Sequence, residues 1–191
     1  SDESIEALIR QVDEQWGELD FLVHSLAYAD TQDLSKPFSE TLRDGFNKAI
    51  EISAYSLLPL AKGVIPMMRK RGGGSIVSMS FIGSTLAVPN YNVMGPAKAA
   101  LESCTRYLAR ELGPENIRIN SLSPGAIRTL SSAGIKDISE MIRVAGEHSA
   151  MKRTATQAEV ANTAAFLLSD AASGITGQLI YVDCGYSIMA N

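Results

Sequence analysis

The chain has 191 residues, 46% of them hydrophobic and 20% charged, the balance of one globular domain with a sizeable core and not of a disordered segment. A net charge of −4 gives no basic footprint for nucleic acid, and no apolar run reaches the roughly 18 residues that a membrane-spanning helix needs. No signal peptide precedes Ser1, and Cys104 and Cys184 lie in apolar runs as reduced core residues would, which together predict a reducing, cytoplasmic compartment.

In chain order, "SIEALIRQVDEQWG" (4–17) spaces its apolar residues as an amphipathic helix and stops on Gly17. The apolar run "LDFLVHSLAYA" (19–29) predicts a strand buried on both faces. Residues 39–71 read as one long helix with Ser39 as N-cap and Gly72–Gly74 as the stop. The basic "MRKR" before those glycines is a solvated helix end. The glycines follow a helix and precede a strand, the reverse of the order a phosphate loop requires. "SIVSMSF" (75–81) predicts a second buried strand, residues 91–112 a second long helix, and "IRINSLSPG" (117–125) a third strand. A capped helix at 156–170 and a strand at 178–185 complete the chain.

Helix and strand alternate throughout, and the strands lack polar alternation. This predicts an α/β fold of one domain over 1–191, a doubly wound parallel sheet between helices. Ligands of such sheets sit at the carboxyl ends of the strands, here His24–Ala29, Ser80–Ile82, Ser123–Thr129 and Asp183–Tyr186. His24 and His148 have no partners at metal-ligand spacing, so no metal site is predicted; His24 reads as a core group and His148 as a surface one. Tyr28 reads equally well as a pocket residue and as a core residue.

"YNVMGPAK" sets Tyr91 and Lys98 seven residues apart, two turns along one face of the predicted helix. Ketone reduction delivers hydride to the carbon that bears the oxygen. Conjugate reduction of an unsaturated thioester delivers it to the β-carbon, while charge collects on an oxygen several bonds away. In a hydride-transferring enzyme the second reaction would want its acid further from the hydride donor, and a phenol seven rather than four residues before the lysine stands about one turn, roughly 5 Å, further back. Outside such an enzyme the pair reads as a packing tyrosine and a solvated lysine.

With strand ends and helices placed, "YNVMGPAKAALES", "IRINSLSPGAIRT" and "GITGQLIYVDCG" resemble the short-chain dehydrogenase/reductases. "VHSLA" (23–27), "PNYNVMG" with Lys98, and "IRT" (127–129) narrow the resemblance to the enoyl-acyl-carrier-protein reductases, across nearly the whole chain. The wider superfamily carries its tyrosine four residues before the lysine, where this chain has Met94.

The resemblance implies a Rossmann-like fold and reduction of a trans-2-enoyl thioester on acyl carrier protein in type II fatty-acid synthesis. It implies NADH as cofactor, with NADPH left open, and a cytoplasmic homotetramer with no nucleic-acid or membrane partner. Carried over residue by residue, Tyr91 is the catalytic acid and Lys98 holds the cofactor ribose. Ser25, Leu26, Ile127, Thr129, Leu130 and Ser131 border the cofactor, while Ala29, Phe81 and Tyr91 border the acyl pocket. Residues 130–142 resemble a segment that closes over the site.

Three departures stand out. The family's glycine-rich opening unit has no counterpart in this sequence, which leaves the strand at 20–27 expected at a sheet edge. Phe81 stands where these enoyl reductases usually carry tyrosine, and "SPGAIRT" has its proline before the glycine. Two other readings therefore stay open: a carbonyl reductase of the same superfamily, and a silent fragment or homologue acting as an oligomer partner.

Overall fold

A computed structural model describes residues 1–129, 132 and 135–190. Four parallel strands, β1 (Phe21–His24), β2 (Gly74–Met79), β3 (Ile117–Pro124) and β4 (Leu179–Val182), pair in the order β1-β2-β3-β4. The register sets Val23 beside Val77, Val77 beside Asn120 and Leu122 beside Ile180. Helices α1 (Asp2–Trp16), α4 (Leu57–Lys70) and α5 (Met94–Leu112) cover one face. There Leu57, Met68, Ile76, Leu101, Ile117 and Ile119 form the larger core. Helix α7 (Gln157–Leu168) covers the other face, where Val77, Leu122, Val160 and Leu167 meet. The doubly wound arrangement expected from the alternating elements is present among the described residues.

Local chemistry explains the boundaries. Ser1 and Ser4 form a capping box ahead of α1, and Gly17 ends it in the left-handed conformation at φ 69°. Thr156 and Glu159 form a second box at α7. Gly73, at φ 150°, lies where a Cβ would come within 2.5 Å of the Asn116 carbonyl, so the turn into β2 requires glycine.

Three expected elements differ. The strand at 19–29 is shorter and is not buried on both faces: Phe21 and Val23 are 53% and 44% exposed. β1 is one of the two edge strands among those described, and α7 packs mainly over β2, β3 and β4.

The single helix at 39–71 is broken. Ser39 belongs to a 3-10 turn (Phe38–Glu40), Thr41 and Leu42 are extended, and Leu42 precedes α3 (Arg43–Ile50) with no side-chain cap, so Ser39 is not the N-cap. A π-helical turn, Glu51–Tyr55, then joins α3 to α4. The Ser56 hydroxyl donates to the Ile52 carbonyl at 2.7 Å, taking the acceptor that an α-helical N–H would use. The Ser56 N–H bonds instead to Glu51, five residues back, at 3.1 Å.

The helix expected from residue 91 starts at Met94, because Asn90 and Asn92 hold positive φ of 61° and 39°. Tyr91 therefore stands in a turn before α5 and not on the helix itself.

His24, at the end of β1, is buried at 1% exposure, as a core histidine should be. Its Nε2 lies 2.8 Å from the Ser56 hydroxyl, while Nδ1 has no partner among the described residues. Burial, with the Lys98 charge adding to it, pushes His24 down to about 4 from 6.5. Between those values the unfolded chain binds the extra proton, so this contribution to stability is full above pH 6.5 and falls as the pH drops toward 4. Thermal unfolding across that window should show the parent losing more melting temperature than His24→Gln; equal losses would contradict a buried neutral ring.

Candidate active site

The carboxyl ends of β1, β2 and β3 open into a cavity of about 470 Å³, within the range typical of small-molecule sites. Ser25, Leu26, Ala29, Phe81, Tyr91, Lys98, Ile127 and Thr129 all line it, so the structure brings eight of the predicted site residues together. Leu130 and Ser131 lie outside the described residues. The fourth strand end does not take part: Asp183 accepts the Gly185 and Ser187 N–H groups at 2.9 and 2.8 Å and so shapes a turn.

Tyr91 is buried to 7% exposure, and its ring packs against Phe81 with centroids 4.8 Å apart and planes tilted by 57°. Beneath it Gly83 leaves no room for a side chain, since a Cβ there would lie 2.4 Å from Tyr91 Cδ1. A Cβ on Gly95 would in turn meet the Gly83 carbonyl at 2.8 Å, so two glycines let the Tyr91 turn close onto the end of β2. The neighbouring asparagines fix the turn from outside. Asn92 Nδ2 reaches the carbonyls of Asp33, Leu34 and Lys36 at 3.2, 3.1 and 2.8 Å, tying the turn to α2 (Thr31–Ser35). Asn90 Nδ2 bonds the Lys136 carbonyl at 3.2 Å.

Lys98, 5% exposed on the first turns of α5, donates to the Met79 carbonyl at 2.6 Å. Burial pushes its ammonium down to about 8, and the nearby Glu102 carboxylate pulls the other way. Burial raises the Tyr91 phenol well above its usual range, with the Glu102 charge adding to the effect. The phenol is thus held as a proton-bearing acid in the cavity that the buried ammonium also lines. Among the described residues no hydrogen-bond partner of its hydroxyl occupies the cavity side.

Met94, the residue four before Lys98, lines the same cavity and is buried at 6% exposure, so a thioether stands where a carbonyl reductase would hold its acid. Tyr28 is 40% exposed at the rim. Its hydroxyl donates to Asp30 at 2.6 Å, and Lys48 sits 4.6 Å above its ring, which excludes the core reading.

Sequence reasoning missed Asn92 and Glu102, and named Ser80 only as part of a strand end. The signal for Glu102 was available, since it follows Lys98 by four residues on one helix face. The cavity joins apolar walls from Phe81, Met94 and Ile127 to one ammonium and the Thr129 hydroxyl, a donor set that fits the nicotinamide–ribose half of a dinucleotide. Among the described residues no group of three His, Cys, Asp or Glu could hold a metal, and no helix is long and apolar enough to cross a membrane.

The family profile described as "Enoyl-(Acyl carrier protein) reductase" matches residues 1–187. The enoyl-[acyl-carrier-protein] reductase [NADH] FabI of Synechocystis sp. is 52% identical over 188 residues, which is 98% of this chain and 72% of that protein. The enzyme of the same name from Bacillus subtilis is 45% identical over 190 residues, 100% of this chain and 73% of its own length. Among solved structures, FabI from Candidatus Liberibacter asiaticus superposes with a TM-score of 0.96 at 40% identity, over 100% of this chain and 73% of that one. A reductase from Anaplasma phagocytophilum in complex with NAD superposes with a TM-score of 0.94 at 39% identity, over 100% and 72%.

Replacing Asn92 with alanine removes three bonds that anchor the Tyr91 turn. The variant should lose about 1–3 kcal/mol of stability in denaturant unfolding and lose near-ultraviolet dichroism from its tyrosines. An unchanged midpoint and spectrum would show that the strap does not hold the turn.

Proposed function

The chain belongs to the enoyl-(acyl carrier protein) reductase family, and we propose that it reduces trans-2-enoyl thioesters on acyl carrier protein, with NADH as donor, in type II fatty-acid synthesis. The observation that carries this reading is the pair Tyr91 and Met94 in one cavity. The acid stands at the seven-residue spacing from Lys98, and no acid stands at the four-residue position where carbonyl reduction would need one.

Bound NADH supplies the hydride that goes to the β-carbon of the thioester. Tyr91, kept protonated by its burial, donates a hydrogen bond to the thioester oxygen as negative charge collects there. Phe81 and Gly83 hold the phenol ring so that this donor is in place before reaction. Lys98, already turned toward the carboxyl end of β2 by its bond to Met79, has two further N–H donors for the hydroxyls of the nicotinamide ribose. Ser25, Leu26, Ile127 and Thr129 border the cofactor in this reading. Ala29 and Phe81 border the acyl chain.

The gathering of Tyr91, Lys98 and Thr129 in one cavity counts against a silent homologue. We assign the chain to a cytoplasmic homotetramer. The exposed Tyr55, Leu58 and Tyr107 on the outer faces of the π-helical turn, α4 and α5 offer apolar surface for such contacts.

Tyr91→Phe should lower kcat with a trans-2-enoyl thioester by about 100-fold or more while leaving KM for NADH nearly unchanged. Lys98→Ala should raise KM for NADH by about 10- to 100-fold. A Tyr91→Phe enzyme with parental kcat would remove the phenol from the reaction.

A further inference from the structure

Glu102 is a buried carboxylate for which the reaction above has no use. It lies on α5 one turn beyond Lys98, 6% exposed against 5% for the lysine. A carboxylate so far from water needs partners. One is Ser80, itself 5% exposed, whose hydroxyl donates to Glu102 Oε1. Lys98 meanwhile donates to the carbonyl of Met79. Two side chains on one face of α5 thus hold two consecutive residues at the end of β2. The next residue is Phe81, the ring on which Tyr91 rests.

We propose that Glu102 is a positioning residue for the reductase: anchored by Ser80, its negative charge keeps the buried Lys98 ammonium protonated for the cofactor ribose. The inference rests on the role given to Lys98 above. Lys98 needs such a counter-charge because its one bonded partner, the Met79 carbonyl, is neutral. Among the described residues, the ionisable groups set against it are His24 from the end of β1 and Glu102 from α5 itself, while Tyr91 from the turn shares its cavity. β2 contributes none. Arg118 of β3 turns to the other face, bonding the Leu167 and Ile175 carbonyls. The ionisable groups of α3, the π-helical turn and α4 are exposed. Glu102 is therefore the only carboxyl group in that set.

Glu102→Gln keeps an acceptor for Ser80 and removes the charge; Glu102→Asp keeps the charge, and Ser80→Ala keeps it without its anchor. The test is an NMR titration of isotope-labelled lysines in the cofactor-free chain, with Lys98 assigned through Lys98→Arg, beside NADH binding measured by fluorescence across the same pH range. In Glu102→Gln the Lys98 midpoint should move down by about one pH unit from its place in the parent, and in Glu102→Asp most of that shift should be absent. NADH should then bind Glu102→Gln about fivefold more weakly than the parent near pH 8 and equally well near pH 6. A Lys98 midpoint unchanged in Glu102→Gln would overturn the proposal, as would a shift just as large in Ser80→Ala. A shifted midpoint with NADH binding that ignores pH would overturn the role of Lys98 at the ribose, and the part of Glu102 in the reaction with it.

Discussion

The Lys98 ammonium sits 2.6 Å from the Met79 carbonyl in a place nearly closed to water, where an unpartnered charge would be destabilising by several kcal/mol. The bond exists only if the first turns of α5 lie directly against the carboxyl end of β2. Much of the site follows from that contact. Gly95 must lack a side chain for α5 to approach Gly83, and Gly83 must lack one for Tyr91 to lie over the strand end. Phe81 then becomes the surface on which the phenol ring rests. The same burial that makes the lysine dependent on its partner raises the phenol and keeps it a donor. Position and protonation of the acid therefore have one origin, the close seating of a helix on a strand end.

The parallel sheet was legible in the sequence because its strands are continuous apolar runs. Ile76 and Val77 are adjacent in the chain, face opposite cores and are both buried. The capped helix at 156–170 was legible through Thr156 and Glu159, whose spacing states the reciprocal bonds directly. The long helix at 39–71 was misread because apolar periodicity runs across its breaks. What divides it is local: extended Thr41 and Leu42, then a serine hydroxyl competing for one carbonyl. The outer face of β1 was misread for a different reason, since apolar composition reports what a strand prefers and not which helix reaches it.

In the site, the residues named from the motifs line one cavity, apart from Leu130 and Ser131 outside the described residues, while the fourth strand end, Asp183–Tyr186, takes no part. The helix face imagined for Tyr91 does not exist, yet its spacing from Lys98 keeps its meaning, because the turn held by Asn90 and Asn92 returns the phenol to the same cavity. Positive φ at two asparagines is not visible as hydrophobic pattern, and three bonds from one amide depend on where α2 packs. Glu102, and the pairing of Ser80 with it, escaped notice for a related reason. Each is unremarkable alone, and only the distance between them across α5 and β2 makes them a pair.

The central claim is that the phenol is placed for conjugate reduction, with hydride arriving at the β-carbon while charge gathers on the thioester oxygen. The most direct test is turnover of a trans-2-enoyl thioester with NADH carrying deuterium at the transferred position, followed by locating the label in the saturated product. Deuterium at the β-carbon is the result this account predicts. Deuterium at the carbon bearing oxygen in the product of a 3-ketoacyl thioester, with the enoyl thioester left untouched, would contradict it.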